Sequence, residues 1–369
     1  MDLERLYKTS TKGATQIIDM TIEGDTYTRS WGIENGKMQS KATTAKSMNI
    51  GRSNETSPAE QAIKEAKAVW AKKQKSGYST SPEAPVTVLL PMKVNEYKKH
   101  LKKIAPQVYT SPKLNGCNAE YRLVDGVLKL LSRGGEEYPI PPHQHDEAIA
   151  LLTHLGTTSI NGEQYIHGEF LQDIMAAVKK PNELSPQLKF YVFDFPEVEG
   201  DYTTRCTSMY AKNEEPIIDT PNFPFVPVWV ANSPEEIEDQ YTQCMKAGYE
   251  GLIIRNPKGL YKYNTRSLDV FKYKTALDQE FLVTGYKLDK NKHVVYDVVT
   301  ALGDTFAVKR RGTSEERLQD AQEAPNNIGR HLTVEYEMMS KGSDKKGPVP
   351  QKPVGLNFRL VDENGEAIE

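Results

Sequence analysis

SPKLNG, residues 111–116, sets a lysine between a proline and a leucine and follows it with Asn115–Gly116. Taken alone it reads as a surface turn, because Asn and Gly both tolerate positive φ. A lysine beside such a turn is normally solvated. What makes the stretch decisive is the company downstream. LLSRGG follows at 130–135, HGEFL at 167–171, FYVFDF at 190–195, EGLIIR at 250–255 and DVFKYK at 269–274. Each of these fragments is weak by itself, and their order is the signal.

The residue chemistry of this set is that of a phosphate site. A free lysine is protonated at neutral pH and cannot attack phosphorus until burial or neighbouring cations lower its pKa. Lys272 and Lys274 alternate along DVFKYK, so their side chains leave one face of a strand. Two ammonium groups aimed into a pocket both depress a third lysine and bind phosphate oxygens. Glu250 heads the apolar strand LIIR, and Glu169 follows Gly168 near the end of an expected strand over 163–170. Carboxylates entering buried strands need a partner or a metal, and beside a triphosphate they suit Mg²⁺. Arg133, before a Gly-Gly turn, can reach a phosphate or ribose bidentately. Arg255 is a further phosphate or carboxylate partner. Tyr191 and Phe193 share a strand face, and spacing alone does not choose between them as a base-stacking ring.

Ordered this way, the segments resemble the covalent nucleotidyltransferases, and the ATP-dependent DNA ligases in particular, over about residues 86–369. The resemblance implies that Lys113 carries an AMP adduct and that Lys272 and Lys274 contact phosphates. It implies that Glu169 serves the ribose or a metal, that Glu250 serves the metal, and that Phe193 stacks on adenine. The family pattern is Lys-x-Asp-Gly-x-Arg, whereas this chain has Asn115 and Asn118 at the acidic and basic positions. The ending KPVGLNFRLVDENG is similar to that of small DNA ligases, with Lys352 and Arg359 as candidates for expelling pyrophosphate. Lys309, Arg310 and Arg311 form a basic cluster that could meet DNA phosphates.

Composition has an ordinary soluble balance, and only the local charge of residues 1–85 fits a polyanion partner. Charged residues make up 26% of the 369, and no apolar run approaches the length of a membrane span. Cys117, Cys206 and Cys244 are too scattered for a disulfide framework or zinc cluster. The N-terminus has no apolar signal core, so a cytoplasmic site, in a bacterial or phage-infected cell, is expected. Net charge is −3, but residues 1–85 hold 13 Lys/Arg against 10 Asp/Glu.

The fold expected is α+β in three parts. Residues 1–80 form a small domain that resembles a WGR-type DNA-associated module through Trp31–Gly32. It contains strands around Gly24–Asp25 and a lysine-rich helix opened by Ser57–Pro58 with Glu60 closing a capping box. Residues 78–87 read as a linker. Residues 86–278 form the adenylyltransferase core, opening with a strand over VTVLLPM and a basic helix over VNEYKKHLKKI. Residues 279–369 form an oligonucleotide-binding (OB) barrel of five short strands and one helix. The function expected is ATP- and Mg²⁺-dependent sealing of nicked duplex DNA by a monomer. The alternatives are an RNA ligase with the same lysine chemistry, or a non-catalytic nucleic-acid-binding accessory protein.

Overall fold

Period-two alternation and well-signalled turns build most of this chain. In the computed structural model, residues 1–9, 14–82, 89–209, 220–344 and 346–359 are described. The N-terminal part is a four-stranded antiparallel meander of β1 (Asp2–Thr9), β2 (Thr15–Glu23), β3 (Thr26–Ile33) and β4 (Met38–Thr44). Helix α1 (Pro58–Lys75) lies on one face. Ser57 caps it, and the Glu60 side chain returns to the Ser57 backbone N–H at 2.8 Å, so the capping box is complete. Ala62 and Ala66 are fully buried against Met20 and Ile22 of β2, with Val69 and Trp70 packed alongside. Gly77, at φ 89°, ends the helix, and Ser79 returns the chain to Tyr7 on β1.

The middle of the chain is two five-stranded sheets. Its elements are β5 (Lys93–Glu96), β6 (Val108–Lys113), β7 (Cys117–Val124), β8 (Val127–Ser132), β9 (Glu137–Tyr138), α2 (Pro142–Leu155), β10 (Ser159–Tyr165), α3 (Leu171–Lys179), β11 (Lys189–Asp194), α4 (Tyr202–Met209), β12 (Trp229–Ala231), α5 (Pro234–Lys246), β13 (Gly251–Arg255) and β14 (Arg266–Tyr273). One sheet has the order β11-β10-β7-β8-β9 and the other β12-β6-β13-β14-β5. The outer face of the first carries Tyr121, Phe190 and Val192 packed with Leu151 and Leu152 of α2. The outer face of the second carries Leu252, Ile254, Phe271 and Tyr273 packed with Ile237 and Tyr241 of α5. The alternate residues therefore turn inward, toward the cleft between the sheets.

The remainder is β15 (Leu277–Leu288), β16 (Val294–Val299), β17 (Thr305–Arg310), α6 (Ser314–Glu323), β18 (His331–Tyr336) and β19 (Val354–Arg359). These five strands close on themselves in the order β15-β16-β17-β19-β18, with β17 and β19 parallel. Phe281, Tyr296, Phe306 and Leu332 fill the interior.

Several local expectations give way. Residues 83–88, which include half of the expected linker and the start of VTVLLPM, lie outside the described residues, as do 360–369. Leu89–Met92 are not in a strand, and VNEYKKHLKKI forms β5 and two short 3₁₀ turns in place of a helix. Its lysine runs supply little apolar face, and pairing of Asn95 and Glu96 with β14 takes the backbone instead. Asn115 and Gly116 adopt no positive φ, so SPKLNG is the end of a strand and not a hairpin turn.

Arg255 is not a surface cation. Its side chain donates to Asp194 at 2.7 Å, and the fully buried Arg205 donates to the same carboxylate at 2.6 Å. Asp194→Ala leaves two buried guanidinium groups without their anion. It is expected to cost roughly 3–5 kcal/mol, measured by urea unfolding. A change under about 1 kcal/mol would show that water compensates both.

Candidate active site

Register brings the expected residues together. Gly251 pairs with Lys113 and Ile253 with Lys272, while the Glu250 backbone N–H donates to the Lys113 carbonyl at 2.9 Å. Lys113, Ile253, Arg255 and Lys272 thus share the inward face of the second sheet, and Glu250 stands at its entrance. The Lys113 ammonium donates to one Glu250 oxygen in a short contact, and Lys274 donates to the other at 3.1 Å. Lys272 lies 3.8 Å from Glu96. A carboxylate therefore sits between the two lysines, in place of the bare cluster of ammonium groups that the alternation suggested.

The electrostatics follow. Burial pushes the Glu250 carboxyl up, but the ammonium groups of Lys113 and Lys274 outweigh it and hold the group below its usual range. Burial, then Lys274, pull Lys272 down, with Glu96 opposing. Burial also lowers Lys274, yet Glu337 and Glu250 raise it overall. Glu337 belongs to the barrel, just past β18. It binds Lys274 at 2.8 Å and Lys352 at 2.6 Å. A second contact between core and barrel runs from the Asn115 amide to Met338 Sδ at 3.5 Å.

The first sheet supplies the opposite wall. Its inward face carries Asn118, Glu163, Tyr191 and Phe193, with Glu163 paired to both Asn118 and Tyr191. Phe193 is partly buried, with the Arg255 guanidinium 5.6 Å from its ring centroid. Tyr191 shares that face and meets Tyr165 edge-on at 5.5 Å. Arg133 is exposed on the turn after β8, close enough to favour the charged form of Glu163.

Glu169 requires correction. Strand β10 stops at Tyr165, and Gly168 turns the chain away with φ 84°, so Glu169 lies before α3 and outside the cleft. Its charge acts on Lys341 instead. The acid that enters the cleft is Glu163, within β10. It accepts a hydrogen bond from the Gly116 N–H at 2.9 Å. Gly116 permits this by close approach, since a Cβ there would stand 2.5 Å from the Gln164 carbonyl oxygen. Burial pushes the Glu163 carboxyl up, against the pull of Lys113, the Gly116 N–H and Arg133. Gly162–Glu163 carries the same Gly-Glu pair as Gly168–Glu169. The signal that separates them is SINGEQY, a strand-like run, against the His167–Gly168 turn.

The barrel candidates are each paired. Lys309 meets Asp289 at 2.7 Å, Arg310 meets Asp320 at 2.7 Å and Arg311 meets Glu335 at 2.5 Å. They are not a free basic cluster. Lys352 is held by Glu337, and Arg359 lies 3.8 Å from Glu280. Among the described residues no group of three or more His, Cys, Asp or Glu gathers to hold a metal, and no helix is long and apolar enough to cross a membrane.

With this geometry in view, comparison with known proteins gives the family. The model of the ATP dependent DNA ligase domain matches residues 89–274, half of the chain and both sheets of the cleft. The chain belongs to the ATP-dependent DNA ligase family. Its class of activity is that of a DNA ligase, and neither an RNA ligase nor a non-catalytic binding protein is favoured. The DNA ligase of African swine fever virus (isolate Tick/Malawi/Lil 20-1/1983) is 26% identical over 89% of this chain and 82% of its own length. A DNA ligase of Pyrobaculum islandicum is 24% identical, over 55% of this chain and 37% of its own. Among solved structures, a Lig E DNA ligase aligns with a TM-score of 0.58 at 21% identity, over 73% of this chain and 99% of that one. Pmar-Lig_PreS3 aligns at 0.63 and 16% identity, over 73% of this chain and 67% of that one. At these identities the structural likeness speaks for the fold.

The two cleft carboxylates should affect the ligase in opposite senses. Glu163 has a raised folded pKa, so its contribution is favourable at low pH and is lost as pH rises through that pKa. Glu250 has a lowered one, so its contribution is present above the unfolded carboxylate range and is lost as pH falls. At pH 7–8, Glu163→Gln is therefore expected to raise the melting temperature and Glu250→Gln to lower it by several degrees. Thermal melts across pH 4–8 check both signs, and equal shifts would contradict the assignment.

Proposed function

We propose that this ligase seals 5′-phosphate/3′-hydroxyl nicks in duplex DNA through a lysine–AMP intermediate. The observation that carries the reading is the convergence of Lys113, Lys272 and Lys274 on one inward face, with Glu250 bound to Lys113 and Lys274 at its entrance, opposite Glu163 and Phe193. In the first step Lys113, having lost a proton, attacks the α-phosphorus of ATP. An N–P bond forms, the bond from α-phosphorus to the bridging oxygen breaks, and pyrophosphate leaves. The 5′-phosphate of the nick then takes AMP from the lysine, and the 3′-hydroxyl finally displaces AMP. All three steps are in-line transfers, so positioning and charge neutralisation supply most of the rate.

Lys272 and Lys274 receive phosphate oxygens in this reading, Arg133 reaches a phosphate or the ribose, and Phe193 stacks on adenine. Mg²⁺ suits the site, since this ion is held by one or two carboxylates plus substrate phosphates. Glu250 would hold it, aided by Glu163, and when bound it neutralises phosphate charge. Because Glu250 now pairs with Lys113, a nucleotide-loaded site requires these side chains to exchange partners.

The finer architecture belongs to the same proposal. Residues 1–80 act as a WGR-like DNA-associated module, 86–278 as the adenylyltransferase core and 279–369 as an OB-fold domain that moves between nucleotide chemistry and DNA clamping. The enzyme works as a monomer in the cytoplasm. Glu337 of the barrel occupies the Lys274 position that a phosphate needs. Glu337→Gln is therefore expected to lower KM for ATP in adenylylation by several-fold, at little change in kcat. An unchanged KM would mean that the bridge does not compete with nucleotide.

The deciding experiment offers radiolabelled ATP and Mg²⁺, then nicked DNA, nicked RNA and hybrid duplexes. Label on the protein followed by sealing of nicked DNA supports the reading. Label without DNA sealing, but with RNA joining, would overturn the substrate.

A further inference from the structure

Four cations converge at the C-terminal end of α1, and the helix alone does not account for them. Lys72 and Lys73 stand in its last turn, where the helix dipole favours positive charge. Lys8 of β1 and Arg29 of β3 come from the sheet to meet them. The Lys8 and Lys73 ammonium groups lie 5.5 and 5.8 Å from the centroid of the same ring, Tyr78. The Arg29 guanidinium stacks 4.4 Å over Trp31. Burial pulls the Lys73 ammonium down, and Arg29, Lys8 and Lys72 pull it further. Among the described residues no carboxylate forms an ion pair with any of the four, whereas the neighbouring Arg5 and Lys75 each have one. Lys8 spends one donor on the Ser76 carbonyl at 2.6 Å, and the buried Arg29 Nε has no hydrogen-bond partner among the described residues. Like charges held together without an anion oppose folding, so such a cluster is the imprint of an anion supplied from outside.

Position indicates which anion. Lys75, in the same last turn as Lys72 and Lys73, bonds Glu136 of the core, on the turn that also carries Arg133. The cluster is thus fastened beside the cleft. The guanidinium of Arg29, held 4.4 Å from the Trp31 ring centroid, suits a phosphodiester oxygen, and the lysines supply further point charges.

We propose that Lys8, Arg29, Lys72 and Lys73 form a binding site for the sugar–phosphate backbone of duplex DNA, placed to lead the duplex to the Arg133 side of the cleft. This rests on the DNA-ligase reading above and gives its N-terminal module a specific contact. Lys64 and Lys67, exposed on α1, stand outside this cluster.

The test compares three double variants by fluorescence anisotropy with nicked duplex over a salt series, alongside DNA-free formation of the AMP adduct. Arg29→Gln/Lys73→Gln is expected to bind about 10-fold more weakly at low salt, with a log–log salt slope smaller by roughly 2, since each lost phosphate contact removes about 0.9. Lys64→Gln/Lys67→Gln is expected to keep wild-type affinity and slope, and Arg29→Lys/Lys73→Arg, which keeps the charges, most of the affinity. Adduct formation should be unchanged in all three. Equal affinity and slope for the first two variants would overturn the site. So would loss of affinity in the charge-keeping variant, which would mean that the residues serve the fold. If the wild-type protein forms no AMP adduct, the ligase reading itself fails, and that outcome is separate from the DNA measurement.

Discussion

Lys113→Ala is expected to form no covalent AMP adduct and to lose ATP-dependent sealing by at least ~10⁴-fold, the scale of losing a nucleophile whose partners act as a unit. The reason is positional. Lys113 is the last residue of β6, faces the cleft, and is held by Glu250. No other lysine there replaces it, because Lys274 is drawn toward Glu337 and Lys272 toward Glu96. A nick already carrying 5′-AMP separates a chemical role from a structural one. On that substrate the variant should retain sealing, since the last step needs no lysine nucleophile. Loss of both activities with an intact fold would assign Lys113 to DNA positioning instead.

Glu163→Ala is expected to slow single-turnover adenylylation by ~10²–10³-fold, the scale of removing one group aimed at the transferring phosphate. Glu169→Ala should stay within about 3-fold of wild type. The contrast follows from geometry, because Glu163 lies on the cleft face of β10 beside Gly116 while Glu169 has passed the Gly168 turn. Pre-steady-state quenched flow with labelled ATP measures both. A large loss in Glu169→Ala with Glu163→Ala unaffected would reverse the assignment.

Much of this cleft was legible where residue spacing alone determines the face. Lys272 and Lys274 alternate, so their shared inward face follows from period two, whereas Glu250 has the parity of the outward Leu252 and Ile254 and reaches the lysines only because it stands just before β13. The α1 capping box and the strands that close the barrel were equally legible, because caps, turns and alternation are local. Failures came where a longer-range partner decided. The Gly-Glu pair occurs twice within eight residues, and only the pairing of β10 with β7 and β11 shows which glutamate enters the cleft. Strand pairing with β14 displaced the helix expected over 94–104. The Lys309–Arg311 cluster looked free because its acids, Asp289, Asp320 and Glu335, are distant in sequence. The Lys8–Arg29–Lys73 convergence was hidden for the same reason, as three separate elements contribute to it.

The most direct measurement is a pulse–chase. Protein is incubated with α-labelled ATP and Mg²⁺, freed of nucleotide, mapped by peptide mass spectrometry, and then mixed with nicked duplex DNA. A single acid-labile, base-stable AMP adduct is expected on the peptide containing Lys113. That label should then pass to the 5′-phosphate of the nick before free AMP appears with sealing. Label on Lys272 or Lys274, or an adduct on Lys113 that nicked DNA does not discharge, would contradict the lysine–AMP intermediate proposed for Lys113.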